Sequence, residues 1–235
     1  MYVIGKLEER LVEYTVINNI AILAFDDGKA NAVGPQFLDN INAGLDRAQV
    51  EQVGAVILRG REGIFSGGFD LEEFKKGVEL GMTMVGRGFD LLVRLYSFPL
   101  PLVAACTGHG VAMGAFIIMA CDSRIASRGN FKISLPEPAI GMELTPLLVA
   151  LTTARISRQH MTRVALQSEV FNPEQAVEAG FIDEAVEADL LDARAMEVAL
   201  KLANLPQAQY AANKLLIRAN TLQAMNDNLA EMAKR

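Results

Sequence analysis

Two stretches of the chain place glycines between an apolar run and the start of a helix. Such turns leave backbone N–H groups free to meet an anion or a developing negative charge. The first is Ile64-Phe65-Ser66-Gly67-Gly68-Phe69-Asp70-Leu71; the second is Thr107-Gly108-His109-Gly110-Val111-Ala112-Met113-Gly114-Ala115-Phe116. One amide from each turn could converge on a single oxyanion. On spacing alone the glycines read first as permitting tight turns and close packing, with the oxyanion role as the alternative. Other chemistries lack their residues. Only His109 and His160 are present, with no HExxH and no paired CxxC, so no metal site is expected. Gly63-Ile64-Phe65-Ser66-Gly67 misses the spacing of a hydrolase nucleophile elbow. Gly108-His109-Gly110 with Gly114 carries its third glycine one residue late for a dinucleotide loop.

The elements that must position these turns follow from pattern. The chain has 235 residues, 51% of them hydrophobic and 21% charged, enough to bury a sizeable core. Its net charge of −6, with both signs interleaved, argues against a nucleic-acid surface. Val12–Ile17 and Ile20–Phe25 read as strands joined by an Asn18-Asn19 hairpin turn. Pro35 opens a helix carrying Phe37, Leu38, Ile41 and Leu45 at helical spacing. Gly54–Leu58 and Leu102–Ala105 read as buried strands. Gly63–Gly68 reads as a glycine-rich turn, followed by an acidic helix start at Asp70, and from Thr145 the pattern is almost wholly helical. Pro173 opens one helix and Gly180 stops it, and Pro206 breaks the terminal pair. Leu95–Cys121 lacks any Asp, Glu, Lys or Arg, but its prolines and glycines make it a buried strand, a glycine turn and a buried helix rather than a membrane span. Cys106 and Cys121, both in apolar surroundings, read as buried free thiols in a reducing cytosol. Met1–Arg10 shows no signal-peptide pattern, and the expected location is cytoplasmic.

Taken together, Phe65 through Leu71, Gly108 through Gly114 with Ala120-Cys121-Asp122-Ser123-Arg124-Ile125-Ala126, Leu135-Pro136-Glu137-Pro138-Ala139-Ile140-Gly141, and the earlier Lys29-Ala30-Asn31-Ala32 resemble the crotonase, or enoyl-CoA hydratase/isomerase, superfamily in order and separation. The resemblance covers about Val12 to Val186. It implies an α/β fold, a crotonase-like spiral of repeated ββα units with a C-terminal helical region. The expected division is a spiral core over 1–190 and a helical region over 191–235 that packs on the core or a neighbouring subunit. Trimers or dimers of trimers are implied, with acyl-CoA thioesters as substrates, no separate cofactor, and neither nucleic acid nor membrane as partner.

The resemblance assigns the catalytic positions. The amides of Phe69 and Met113 would hold the thioester oxygen as an enolate, and Glu137 would be the acid/base, its pKa raised by Pro136, Pro138 and Ile140. Met113 stands where many relatives have glycine and is expected to reshape the pocket. The first of the two glutamates of family hydratases falls on Phe116, which transfers no proton. One carboxylate suffices to shift a double bond, so the expected reaction is 3-enoyl-CoA to 2-enoyl-CoA. The rivals are a hydratase, with Glu143 a candidate second acid, a thioesterase or other hydrolase of the same fold, and a catalytically silent acyl-CoA binder. Lys29, Ala30, Gly67, Gly68, Asp70, Leu71 and Phe116 are the expected substrate-binding positions, with Lys29 the best cation for the coenzyme A phosphates and Lys132, Lys214 and Arg218 further candidates. Asp70 is expected mainly to cap its helix, and Asp122 and Arg124 to be structural. Ser66 and His109 flank the expected pocket without an assigned role.

Overall fold

The computed structural model describes residues 11–234. The expectation about Met1–Arg10 lies outside them. Strands β1 (Val12–Ile17) and β2 (Ile20–Phe25) form the expected hairpin, with Asn18 and Asn19 at φ of 51° and 65°, the left-handed pair a tight hairpin turn needs. Helix α1 (Pro35–Val50) buries Phe37, Leu38, Ile41 and Leu45. Strands β3 (Ala55–Arg59), β5 (Leu102–Cys106) and β7 (Ser123–Ser127) then add in parallel beside β2, and β9 (Glu184–Val186) closes a six-stranded sheet ordered β1-β2-β3-β5-β7-β9. Both faces are covered, so β3 and β5 read as unbroken apolar runs. Val56, Leu58, Leu102 and Ala104 face the main core, while Ala55, Ile57, Val103 and Ala105 face the other way. Burial pushes the thiols of Cys106 and Cys121 up to about 12, which leaves them inert.

The glycine stretches differ from expectation. Gly63–Ser66 is a strand, β4, and Gly108–Val111 is a strand, β6; with β8 (Ile133–Ser134) they form a second, parallel sheet in the order β4-β6-β8. Only Gly67–Asp70 and Ala112 remain as turns. The second exception is β9, a short strand inside the region expected to be helical. Each repeat thus places one strand in the large sheet, one in the small sheet, and then a helix: β3-β4 with α2 (Leu71–Lys76) and α3 (Val78–Ser97), β5-β6 with α4 (Met113–Ala120), and β7-β8 with α5 (Pro146–Arg155). This is the repeated ββα spiral.

Helices α6 (Met161–Ala165) and α7 (Pro173–Ala179) follow, the latter ended by Gly180 at φ 98°. Helix α8 (Leu191–Ala203) lays Leu191, Ala195 and Ala199 on the outer face of the large sheet, and α9 (Gln207–Met232) packs along α3 and α5 of the same chain. None of the described helices is long and apolar enough to cross a membrane.

Helix α9 is held by a buried charge cluster. The Lys214 ammonium donates to Asp122 Oδ2 at 2.6 Å and to the carbonyls of Phe98 and Leu100 at 2.7 and 2.9 Å. Arg218 Nη2 lies 2.8 Å from Asp122 Oδ1, its Nη1 donates to the Tyr96 carbonyl, and the Leu102 amide donates to Asp122 Oδ2. Breaking one partner of a buried pair strands the other charge. Asp122→Asn is therefore expected to cost about 3–5 kcal/mol in urea unfolding, whereas neutralising an exposed pair such as Lys75–Glu72, which water already screens, should leave the urea midpoint almost unmoved.

Candidate active site

Three parallel strands end side by side, and each carboxyl end supplies one group. β4 leads into Gly67-Gly68-Phe69, β6 into Ala112-Met113, and β8 into Leu135-Pro136-Glu137. The registers Ser66↔Gly110 and Val111↔Ser134, with the Ala112 amide donating to the Ser134 carbonyl at 3.1 Å, bring the three ends together.

At the first turn, Phe69 bridges Val33 in parallel. The Gly68 carbonyl accepts from the Val33 amide at 2.8 Å, and the Asp70 amide donates to the Val33 carbonyl at 3.2 Å. A parallel bridge uses those atoms and turns the intervening Phe69 N–H to the other side. At the second turn, Met113 is the first residue of α4, whose earliest intrahelical bond runs from the Phe116 amide to the Ala112 carbonyl, so the Met113 N–H has no helical acceptor. Neither amide is hydrogen-bonded among the described residues. A Cβ built on Gly68 (φ 104°) would lie 3.0 Å from Ala112 Cβ and 3.6 Å from the Met113 nitrogen, which measures how closely the turns approach. A Cβ on Gly114 would meet the Ser66 carbonyl oxygen at 2.3 Å, so only glycine lets the first turn of α4 rest on the end of β4. Ala112 itself has φ 52° and ψ −124°, a strained conformation for an L-residue.

The third end carries a buried acid. Glu137 is 6% exposed, and its Oε2 has no hydrogen-bond partner among the described residues. Loss of water raises its pKa from the usual 4.5 to about 7. Its loop is closed by the 3-10 turn Pro138–Ile140, with the amides of Ile140 and Met142 donating to the Glu137 carbonyl and Gly141 at φ 74°. Two free N–H donors beside a carboxyl that titrates near neutrality can hold an oxyanion and move a proton.

The remaining expected residues divide. Phe116 is 1% exposed and fills the core from α4; Met113 is 2% exposed, so its side chain packs inward instead of standing in an open pocket. Asp70 caps α2, accepting from the Glu72 amide at 2.9 Å, and Leu71 is 70% exposed beside it. The Gly67 amide donates to the Ala30 carbonyl at 2.8 Å, which uses both atoms within the chain. Lys29 is exposed on the loop before Ala30; the hydrogen bond from Lys75 lowers the pKa of Glu72, and the Lys29 charge adds a smaller contribution. Lys132 and Glu143 are exposed. Lys214 and Arg218 are committed to Asp122, and the cleft of about 730 Å³ that they line with Tyr96, Arg155 and Tyr210 opens at the opposite end of α4 from Met113, about 12 Å along the helix. Arg124 is bound to Asp183 and to the Gly180 carbonyl.

Sequence reading missed Asn31. It is fully buried at φ 48°; its side-chain amide donates to the carbonyls of Phe25, Ile64 and Phe65, its Oδ1 accepts from Asp27, and its carbonyl accepts from Ser66 Oγ at 2.8 Å. It pins the Lys29 loop to β2 and β4. The Asn in Lys29-Ala30-Asn31 was the available signal, since asparagine tolerates a left-handed backbone and offers both donors and an acceptor. His109 Nδ1 accepts from the Lys132 amide at 2.9 Å and fixes β6 to the loop before β8.

A spiral of ββα repeats with two free turn amides and a buried acid at one sheet end defines a crotonase-type enzyme. The profile of the enoyl-CoA hydratase/isomerase family matches residues 15–234, and the chain belongs to that family. It is 29% identical over 225 residues to a probable enoyl-CoA hydratase of Bacillus subtilis (strain 168), covering 92% of this chain and 85% of that protein. It is 27% identical over 223 residues to the mitochondrial enoyl-CoA delta isomerase 1 of Rattus norvegicus, covering 93% and 76%. Among solved structures, a Mycobacterium tuberculosis protein described in one structure as an enoyl-CoA isomerase and in another as a probable enoyl-CoA hydratase superposes with a TM-score of 0.91, in the former at 37% identity, covering 96% of this chain and 99% of that one.

The raised pKa of Glu137 has a consequence for stability. The folded state holds the proton up to about pH 7, the unfolded state only to its usual 4.5, so stability falls as pH rises across that window, by about 3 kcal/mol in all. Glu137→Gln keeps the shape without the charge. Urea titrations at pH 4 and pH 8 should find the variant close to the parent in acid and more stable than it at pH 8.

Proposed function

We propose that this enzyme shifts a double bond along an acyl-CoA thioester, converting 3-enoyl-CoA to 2-enoyl-CoA. The thioester oxygen is received by the amides of Phe69 and Met113. The Glu137 carboxylate removes a proton from the carbon beside the carbonyl, and the electron pair moves into the carbonyl oxygen as a dienolate. The protonated Glu137 then returns the proton two carbons further along, leaving the double bond conjugated with the thioester. No water is consumed, and one carboxyl does both transfers. The observation that carries the reading is Glu137 Oε2, buried and unpartnered, while the α4 position where a hydratase would carry its other acid is Phe116, sealed in the core. Relatives named as isomerase and as hydratase both support an enoyl-CoA substrate.

Lys29, exposed beside the first turn, is the proposed cation for the coenzyme A phosphates. The same reading includes a cytoplasmic homotrimer or dimer of trimers, in which exposed apolar side chains of α9 such as Leu216 and Ile217 would be covered.

Purified protein incubated with a 3-enoyl-CoA should yield a 2-enoyl-CoA of unchanged mass, with turnover reduced at least about 100-fold in Glu137→Gln. A product heavier by one water from a 2-enoyl-CoA would make it a hydratase; binding without turnover would make it a silent acyl-CoA binder. Because the base must be ionised, kcat/KM should rise with pH, reach half its plateau near pH 7 and stay level above it.

A further inference from the structure

Helix α3 carries three glycines inside its span, Gly81, Gly86 and Gly88. Glycine in a helix interior is destabilising relative to alanine, so each calls for a reason, and the surroundings differ. A Cβ on Gly86 would meet nothing within 4 Å. One on Gly81 would strike the Phe74 ring at 2.3 Å. One on Gly88 would strike Phe69 at Cε1 and Cζ, 2.5 and 2.6 Å away, and lie 3.3 Å from Met113 Cε. Gly81 and Gly88 are seven residues apart and therefore share a face of the helix. They form two notches that receive two phenylalanines from the segment after β4, so that segment is fastened to α3 at Phe69 and at Phe74.

The upper notch is the more informative. Phe69 and Met113 lie on separate turns, 44 residues apart in the chain, and they carry the two free amides. Their side chains meet at one glycine. The Phe69 ring is further backed by Phe89, with centroids 6.5 Å apart, and the Met113 side chain is buried.

We infer that Gly88 is a positioning residue for the oxyanion site: by seating the Phe69 ring and the Met113 methyl in one notch of α3, it sets the spacing of the two amide donors. This rests on the enolate-stabilising reading above. Adding a methyl at Gly88 displaces the ring by about an ångström and presses on Met113. Displacements of that size cost up to about 100-fold where the donors must match an oxyanion.

The test compares Gly81→Ala, Gly86→Ala, Gly88→Ala and the Gly88→Ala/Phe69→Leu double variant. It measures kcat and KM with a 3-enoyl-CoA, thermal stability, and the near-ultraviolet enolate absorbance of bound 3-oxoacyl-CoA, which reports the oxyanion site without turnover. Gly88→Ala should lower kcat at least about tenfold, leave KM within about threefold, and weaken the enolate band. Gly86→Ala should keep kcat and gain stability, and Gly81→Ala should lose stability with kcat retained. Phe69→Leu, which shortens the group in the notch, should recover most of the lost kcat. If Gly88→Ala does not fold, Phe69→Ala with Gly88 intact empties the notch and should lower kcat with KM held. An active parent with an equally active Gly88→Ala, or a double variant as impaired as the single, overturns the inference. A parent that neither turns over substrate nor generates the enolate band overturns the enolate reading itself, and the inference with it.

Discussion

Backbone N–H groups shielded from water normally find an acceptor, because leaving one unpaired costs about 1–3 kcal/mol. This chain keeps two of them free side by side, at Phe69 and Met113, and most of the architecture around them follows from that requirement. The Phe69 amide is free because the Val33 bridge engages its neighbours on either side. The Met113 amide is free because a helix begins there. They adjoin because β4 and β6 run parallel and end level, and because Gly68 and Gly114 lack the side chains that would force the turns apart. An antiparallel strand would have sent one of the two ends to the far side of the sheet, and a one-residue slip would turn the amide away. The strained backbone of Ala112 is stored at this point, where the surrounding packing over-determines it.

The two buried acids of the core region show how environment separates structure from chemistry. Asp122 faces Lys214, Arg218 and the Leu102 amide, and this partnership holds the terminal helix on the core. Among the described residues Glu137 has no cation and no donor for Oε2, and desolvation pushes it toward neutrality. The same functional group, buried in both places, is thus held ionised as an anchor in one and pushed toward a near-neutral titration in the other. On α4, Phe116 is sealed in the core and offers no second carboxyl.

Much of the fold was legible from the chain alone. The hairpin at Asn18-Asn19, the α1 face of Phe37, Leu38, Ile41 and Leu45, the stop at Gly180 and the break at Pro206 are local signals, written within a few residues of where they act. The order of the glycine turns and of the Pro136-Glu137-Pro138 loop pointed to the family. Strands β4, β6, β7, β8 and β9 were not legible as strands, because a short run such as Gly108-His109-Gly110-Val111 has no alternation of its own and becomes a strand only through neighbours distant in sequence.

The site followed the same division. Residue types determined which groups could do chemistry: a carboxyl at Glu137, none at position 116, and glycines where turns must be tight. Whether those groups meet was decided by the parallel register of the small sheet, and whether Glu137 titrates near neutrality was decided by its loss of water. Lys214 and Arg218, eligible by charge for a phosphate, were taken by Asp122, a partner about 90 residues earlier in the chain. Periodicity and capping report what a residue does within a turn or two of itself. Hydrogen-bond vacancy, desolvation and the choice of an ion's partner depend on every element packed around a group, and those exist only once the spiral has closed.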